Sequence, residues 1–253
     1  MIDRPGWLAE IESFHRDSPG VTAKVLKAAS HRGQSPYDWL VEGVAAEEAI
    51  VDLGCGDGPT APLISGRWVG VDRSIEELEA AAVAKSGALV QGAFEHLPFR
   101  QHTVDAVVCS MSLMLAVDLD AAVIEIRRVL RPGGTLRLLL PSTKPLNYRD
   151  RYRYTRLRRV VGLASYFPPS PLLEAPAKFL RQFGFAMLSD HCSRFSFDIA
   201  TELDAQLLIR SLYLPEVDTA HREEAINLAR SWCGSSLGIP LRRVVATSPL
   251  SRQ

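Results

Sequence analysis

Val51-Asp52-Leu53-Gly54-Cys55-Gly56-Asp57-Gly58 is the stretch that most restricts what this chain can fold into. Glycines at alternate positions follow the short apolar run Ala49–Leu53, as expected where a buried parallel strand ends in a tight turn. A turn without Cβ atoms also lets backbone amides come close to a ligand. The spacing is GxGxG, not the GxGxxG of dinucleotide-binding folds, and no lysine follows as a phosphate-binding loop requires. Alone, the motif also fits a strand-to-helix turn of some other α/β protein. Asp52, just before the turn, can organise the loop or meet an ammonium group through water. Asp72 narrows the choice, because it closes a second apolar run, Trp68–Val71, twenty positions after Asp52. An acid placed there can accept hydrogen bonds from both hydroxyls of a ribose.

The alternation continues downstream. Ser74–Lys85 reads as a helix with Ser74 as N-cap and Glu77 three residues on, Leu89–Val90 as a short strand, and Val104–Cys109 as a fourth strand. Leu119–Leu130 is amphipathic, with Val123, Ile126, Val129 and Leu130 on one face; Pro132-Gly133-Gly134 is expected to stop it before a fifth strand, Thr135–Leu140. Strand alternating with helix implies a mostly parallel sheet covered on both faces. Residues 1–48 read as helices broken at Asp17–Gly20 and Arg32–Pro36. Beyond Pro141, helices are expected over 147–162, 172–183, 201–214 and 218–232, a strand or hairpin arm over 186–199, and a last strand over 239–248.

In order and spacing, five segments resemble the class I S-adenosylmethionine-dependent methyltransferases, particularly their "type 11" group. VDLGCGDGP is similar to the first motif, VGVDRS to the second, QGAFEHLPF to a segment that usually reads GDAExLPF, VDAVVCSMSL to the fourth strand, and LRPGGTL to the turn into the fifth. The resemblance covers about residues 48–141 and implies a Rossmann-like, doubly wound, mostly parallel sheet. Around it, residues 1–48 are expected to form an N-terminal helical cap, 49–141 the core of a methyltransferase domain running to 253, and 142–238 substrate-side helices and a helical insert. The implied cofactor is S-adenosyl-L-methionine, with S-adenosyl-L-homocysteine as product. By the same resemblance Gly54, Cys55 and Gly56 line its methionine and ribose part, Asp72 holds the ribose, Arg73 packs near the adenine, Phe94 offers a backbone amide to the ring, and Ser110 places a carbonyl near the methionine amine. Ala93 departs from the pattern, since the family carries an aspartate there that accepts from the adenine amino group. Either Glu95 or a water replaces it, or the adenine is held more weakly than usual; losing one neutral hydrogen bond costs about 0.5–1.5 kcal/mol.

Lysine plus arginine equals aspartate plus glutamate, 29 against 29, which argues against a surface adapted throughout to nucleic acid. The start of the chain lacks a secretory signal pattern, no apolar run reaches membrane-spanning length, and the four cysteines form no CxxC pair. A reducing cytoplasm, no resident metal and no membrane contact are therefore expected. Tyr37 is a candidate lid over the cofactor, with packing beside Trp39 as the plainer role. His191 is the histidine to test as a base; the other histidines are expected to be surface or core. Asn147–Arg159 mixes arginine with tyrosine: either a nucleic-acid or acidic-substrate contact, or a solvated helix whose arginines pair with carboxylates. Tyr166, Phe167, Leu212 and Tyr213 are candidates for the apolar surface of a cap or of a dimer contact. The expected activity is methyl transfer to oxygen or nitrogen of a small organic molecule, by a monomer or homodimer. RNA methylation and non-catalytic cofactor binding are the alternatives. No catalytic residue is assigned.

Overall fold

A computed structural model describes residues 4–45, 48–84, 87–162, 169–214 and 217–250. Tyr166 and Phe167 lie outside the described residues. The N-terminal helices are α1 (Arg4–Asp17), α2 (Val21–Ala28) and α3 (Pro36–Val41). The alternating part follows: β1 (Ala49–Leu53), β2 (Arg67–Asp72), α4 (Ile75–Val83), β3 (Ala88–Gln91), β4 (Val104–Ser110), α5 (Leu119–Val129) and β5 (Leu130–Pro141). The chain then runs through α6 (Tyr148–Val161), α7 (Pro171–Glu174), α8 (Pro176–Gln182), β6 (Ala186–Ile199), α9 (Glu202–Arg210), α10 (Thr219–Arg230) and β7 (Ser235–Thr247).

The strands form one sheet in the order β3-β2-β1-β4-β5-β7-β6. β1 to β5 pair in parallel, and β7 runs antiparallel to both β5 and β6. Successive residues of each central strand face opposite sides of the sheet. Ile50, Ala106 and Val108 therefore pack towards α2, α3 and α6, while Val51, Leu53, Val107 and Cys109 pack towards α5 and α8. That double burial explains why these strands read as unbroken apolar runs. The strand order reverses between β1 and β4, and the crevice outside their carboxyl ends is where ligands of open α/β sheets bind. The expected doubly wound, mostly parallel Rossmann-like sheet is therefore the observed one.

Several expected boundaries shift. α5 ends at Val129, so the Pro-Gly-Gly turn falls inside the pairing range of β5 and does not stop the helix. The helix expected over 172–183 is two pieces, because Ala175 takes an extended φ of −145° ahead of Pro176. β7 begins at Ser235, not at residue 239, since β6 is long enough to pair it from Ile199 onward. Between β6 and β7 stand α9 and α10, which pack on each other; α9 also meets α2, and α10 meets α6. The expected helical insert is thus bound to the N-terminal helices over one face of the sheet.

Candidate functional site

The glycine turn is built by backbone conformation and by contact with the neighbouring strand. Gly54, Gly56 and Gly58 have φ of 68°, 53° and 71°, a region that favours residues without a Cβ. The amide of Gly54 donates to the Val71 carbonyl at 2.8 Å, which ties the turn to the end of β2. Asp72, the next residue, accepts from the Gly56 amide through Oδ2 (2.9 Å) and from the Ser74 amide through Oδ1 (3.0 Å). One carboxylate thereby sets both the glycine turn and the start of α4. Burial raises the Asp72 carboxyl above its ordinary range, against the pull of those two amides.

Asp52 is wholly enclosed beneath the turn. Its Oδ2 accepts from the Thr60 hydroxyl, which itself accepts from Trp68 Nε1 at 3.0 Å. Its Oδ1 has no hydrogen-bond partner among the described residues, and neither does Oδ1 of Asp57; the Ser110 hydroxyl stands beside the Tyr37 hydroxyl. Burial pushes the Asp52 carboxyl up to about 7, opposed by the Thr60 bond and reinforced by the charge of Asp72. Burial also raises the Cys55 thiol, so its sulfur is protonated and its contribution to the turn is steric and through the backbone.

The raised Asp52 carboxyl has a stability consequence. Between pH 4 and 7, on the order of its unfolded and folded values, the unfolded chain has lost this proton while the folded chain keeps it. The unfolded state therefore binds fewer protons, and stability falls as pH rises through that window. Urea unfolding at pH 5 and pH 8 is expected to show a loss roughly 2–3 kcal/mol larger in the native protein than in Asp52→Asn. Equal losses in the two proteins would place the titration elsewhere.

All ten residues expected to touch a cofactor line one cavity of about 270 Å³: Tyr37, Asp52, Gly54, Cys55, Gly56, Asp72, Arg73, Ala93, Phe94 and Ser110. Tyr37 is only 3% exposed and stands in the cavity wall, while Trp39 packs on Phe195 with ring centroids 5.5 Å apart. Glu95 also lines the cavity near Ala93, but its Oε1 accepts from the Asp118 amide at 3.1 Å. His191 is exposed on β6 opposite Arg243 and lines neither cavity, which removes the one histidine singled out as a base.

Sequence reasoning missed the groups that close the cavity from above. α1 lies across it, with Ile11, Glu12 and His15 in the lining. Glu12 pairs with Arg73 at 3.1 Å. His15 Nδ1 lies 2.7 Å from Glu77 Oε1, and Nε2 lies 2.9 Å from the Tyr213 oxygen. With Nδ1 donating to the carboxylate, Nε2 is left to accept from the tyrosine hydroxyl. Glu77 also receives the Gly20 amide at 3.0 Å. It does not turn back to cap α4, whose N-cap Ser74 accepts from the Glu77 amide alone. Three distant segments are thus joined over the glycine turn: α1, the start of α2, and the residue pair Leu212–Tyr213 after α9.

A second cavity, of about 740 Å³, adjoins the first. Thr22, Leu26, Met111 and Tyr213 line both. Met111 sits at the end of β4 with φ 57°, an uncommon conformation for a side chain larger than glycine, and its amide donates to the Leu139 carbonyl at 2.8 Å. Val25, Leu173, Leu208, Leu212, Ile239 and Leu241 make the second chamber mostly apolar. Leu212 and Tyr213, expected to supply apolar surface to a cap, do face these chambers.

The residues of the first cavity suit a nucleoside that carries an amino acid. An orphaned oxygen of Asp52 awaits a donor at one end, and the Asp72 carboxylate stands at the end of β2, where ribose hydroxyls are bound in such folds. Gly54 leaves no room for a Cβ, since one built there would lie 2.4 Å from Ser112 Cβ.

Comparison with known proteins agrees with this arrangement. Residues 51–138 match a family model described as a methyltransferase domain. The Rubrivivax gelatinosus protein named ubiquinone/menaquinone biosynthesis C-methyltransferase UbiE is 33% identical over 153 residues, covering 56% of this chain and 61% of its own length. The chain spans between half and about three fifths of the length of the curated relatives it matches first. An S-adenosylmethionine-dependent methyltransferase from Thermotoga maritima superposes with a TM-score of 0.52 at 16% identity, covering 96% of each chain. The [4+2]-cyclase SpnF superposes with a TM-score of 0.56 at 20% identity, covering 85% of this chain and 80% of its own. At these identities the structural likeness is one of fold.

Proposed function

We propose that this chain, a class I S-adenosylmethionine-dependent methyltransferase by its fold and by the domain at residues 51–138, transfers a methyl group from S-adenosylmethionine to a small apolar organic molecule. The observation that carries this reading is the junction of two unlike chambers at Met111 and Tyr213. One is lined by the glycine turn and buried carboxylates, the other mainly by apolar side chains, with Arg158, Glu174 and Arg242 among them. Bound in the first, the cofactor supplies an activated methyl group on a cationic sulfur. Asp72 would hold the ribose, Asp52 and Ser110 would meet the amino-acid end, and the Phe94 backbone amide would meet the adenine. Met111, with an unbranched and adaptable side chain, stands where the two chambers meet. Orientation of two reactants held between these walls supplies much of the acceleration, and no acid–base residue is required.

The fold alone does not dictate this activity, as a cyclase shares it. The test is therefore direct. Calorimetry should show S-adenosylhomocysteine binding one to one, and labelled methyl groups should pass to apolar acceptors offered as oxygen, nitrogen and carbon nucleophiles in parallel. The Rubrivivax relative is named for transfer to carbon, which makes carbon nucleophiles the first to try, with oxygen and nitrogen beside them. Absence of S-adenosylhomocysteine binding would overturn the reading. Binding without transfer to any of the three would favour a cofactor-binding protein without catalysis.

A further inference from the structure

α6 presents a face that nothing else in the described structure neutralises. Five arginines, Arg149, Arg151, Arg156, Arg158 and Arg159, are exposed, and among the described residues none has an ion pair or a side-chain hydrogen bond. Arg156 lies 5.9 Å from the ring of Tyr152, and Tyr148 and Tyr152 are themselves 86% and 55% exposed. At 100° per residue these seven side chains fall on one half of the helix. The sixth arginine, Arg153, is turned inward onto the Ser236 carbonyl (2.8 Å) and the Trp232 ring. The helix's one carboxylate, Asp150, is fully enclosed, accepting from Arg194 at 2.6 Å and from the Gly238 amide at 2.9 Å. Inward-facing groups are paired and outward-facing cations are not, in a chain whose formal net charge is zero.

We infer that this face docks the protein on an anionic lipid surface. Exposed arginines interleaved with tyrosines match the charge and amphipathic depth of such an interface. No helix among the described residues is long and apolar enough to cross a membrane, so the contact is peripheral. A nucleic acid is the other extended polyanion with which arginine and tyrosine could engage. The acceptor chamber decides between them. α6 walls that chamber through Tyr154 and Arg158, and Arg158 is exposed at its rim. Behind the rim lie Val25, Leu173, Leu208 and Ile239, with Ser170, Glu174 and Arg242 beside them, and the larger apolar share suits an apolar molecule held in lipid. This choice of partner rests on the acceptor reading above; the unpaired cationic face does not.

The test uses the full chain with vesicles of phosphatidylcholine alone, and with about a quarter of it replaced by phosphatidylglycerol. Sedimentation should show partition onto the mixed vesicles, little onto the neutral ones, and a steep loss as salt is raised. The variant R149Q/R151Q/R156Q/R159Q keeps Arg158 at the chamber rim and should partition at least roughly ten-fold more weakly. Calorimetric binding of S-adenosylhomocysteine, unchanged in the variant, shows that it is folded and separates this result from the fate of the methyltransferase reading. No partition of the native chain, or equal partition of the variant, overturns the proposal. Salt-sensitive RNA binding lost in the variant, with no vesicle binding, overturns it and reassigns the face to nucleic acid.

Discussion

Asp72→Ala is expected to weaken S-adenosylhomocysteine binding by roughly 10²-fold or more, a loss of about 3 kcal/mol for two hydrogen bonds to a charged group. The carboxylate acts twice. It is placed at the end of β2 to accept from ribose hydroxyls, and it already holds the Gly56 and Ser74 amides at 2.9 and 3.0 Å. Removing it takes away the ligand's acceptor and unties the glycine turn from α4. Asp72→Asn separates the two effects, because its single amide oxygen still accepts from one of the amides while the other acceptor becomes a donor. Its affinity should lie between the native and alanine values. Calorimetric titration with S-adenosylhomocysteine reads both variants, and a native-like constant in Asp72→Ala would remove the ribose role from this residue.

The central sheet was legible because its physics is local. Strands buried on both faces are apolar without interruption, and a turn that needs positive φ writes its glycines into the sequence, as at Gly54 and Gly56. The ten candidate cofactor residues come from loops at the ends of β1, β2, β3 and β4 together with α3, and a parallel sheet brings those loops to one rim. The same logic placed α5, whose apolar face repeats at helical spacing.

The cover of the site was not legible, because its contacts carry no local pattern. Glu77 three residues after Ser74 reads as half of a capping box, yet its carboxylate is taken by His15 and Gly20, 62 and 57 positions away. His15 in turn reaches Tyr213 across 198 positions. A lone histidine or tyrosine at such separations looks like any core or surface residue. The start of β7 was hidden for a related reason: Ser235 and Ser236 have no strand character of their own and are paired only because β6 extends to Ile199. The arginines of α6 showed their charge but not their pairing, which depends on what stands opposite them in space.

Gly54→Ala should be strongly destabilising, because it combines a left-handed backbone with a steric clash. At φ 68° an alanine sits in the left-handed region, at a cost of about 1–2 kcal/mol. Its Cβ would also lie 2.4 Å from Ser112 Cβ and 3.2 Å from the Phe94 ring. Ser112 cannot swing away freely, since its hydroxyl donates to the Leu53 carbonyl at 2.6 Å, so the end of β4 must shift as a body. Overpacking of this kind costs about 1–3 kcal/mol, giving a total loss of roughly 2–5 kcal/mol in urea unfolding. Gly33→Ala is the control: φ there is 83°, but nothing lies within 4 Å of the added Cβ, so only the backbone cost of about 1–2 kcal/mol applies. The difference between the two variants measures how tightly the glycine turn is held against Ser112. If Gly54→Ala were no more destabilised than Gly33→Ala, the turn would be able to move away from β4, and the close approach that shapes the cofactor cavity would not be a fixed property of the fold.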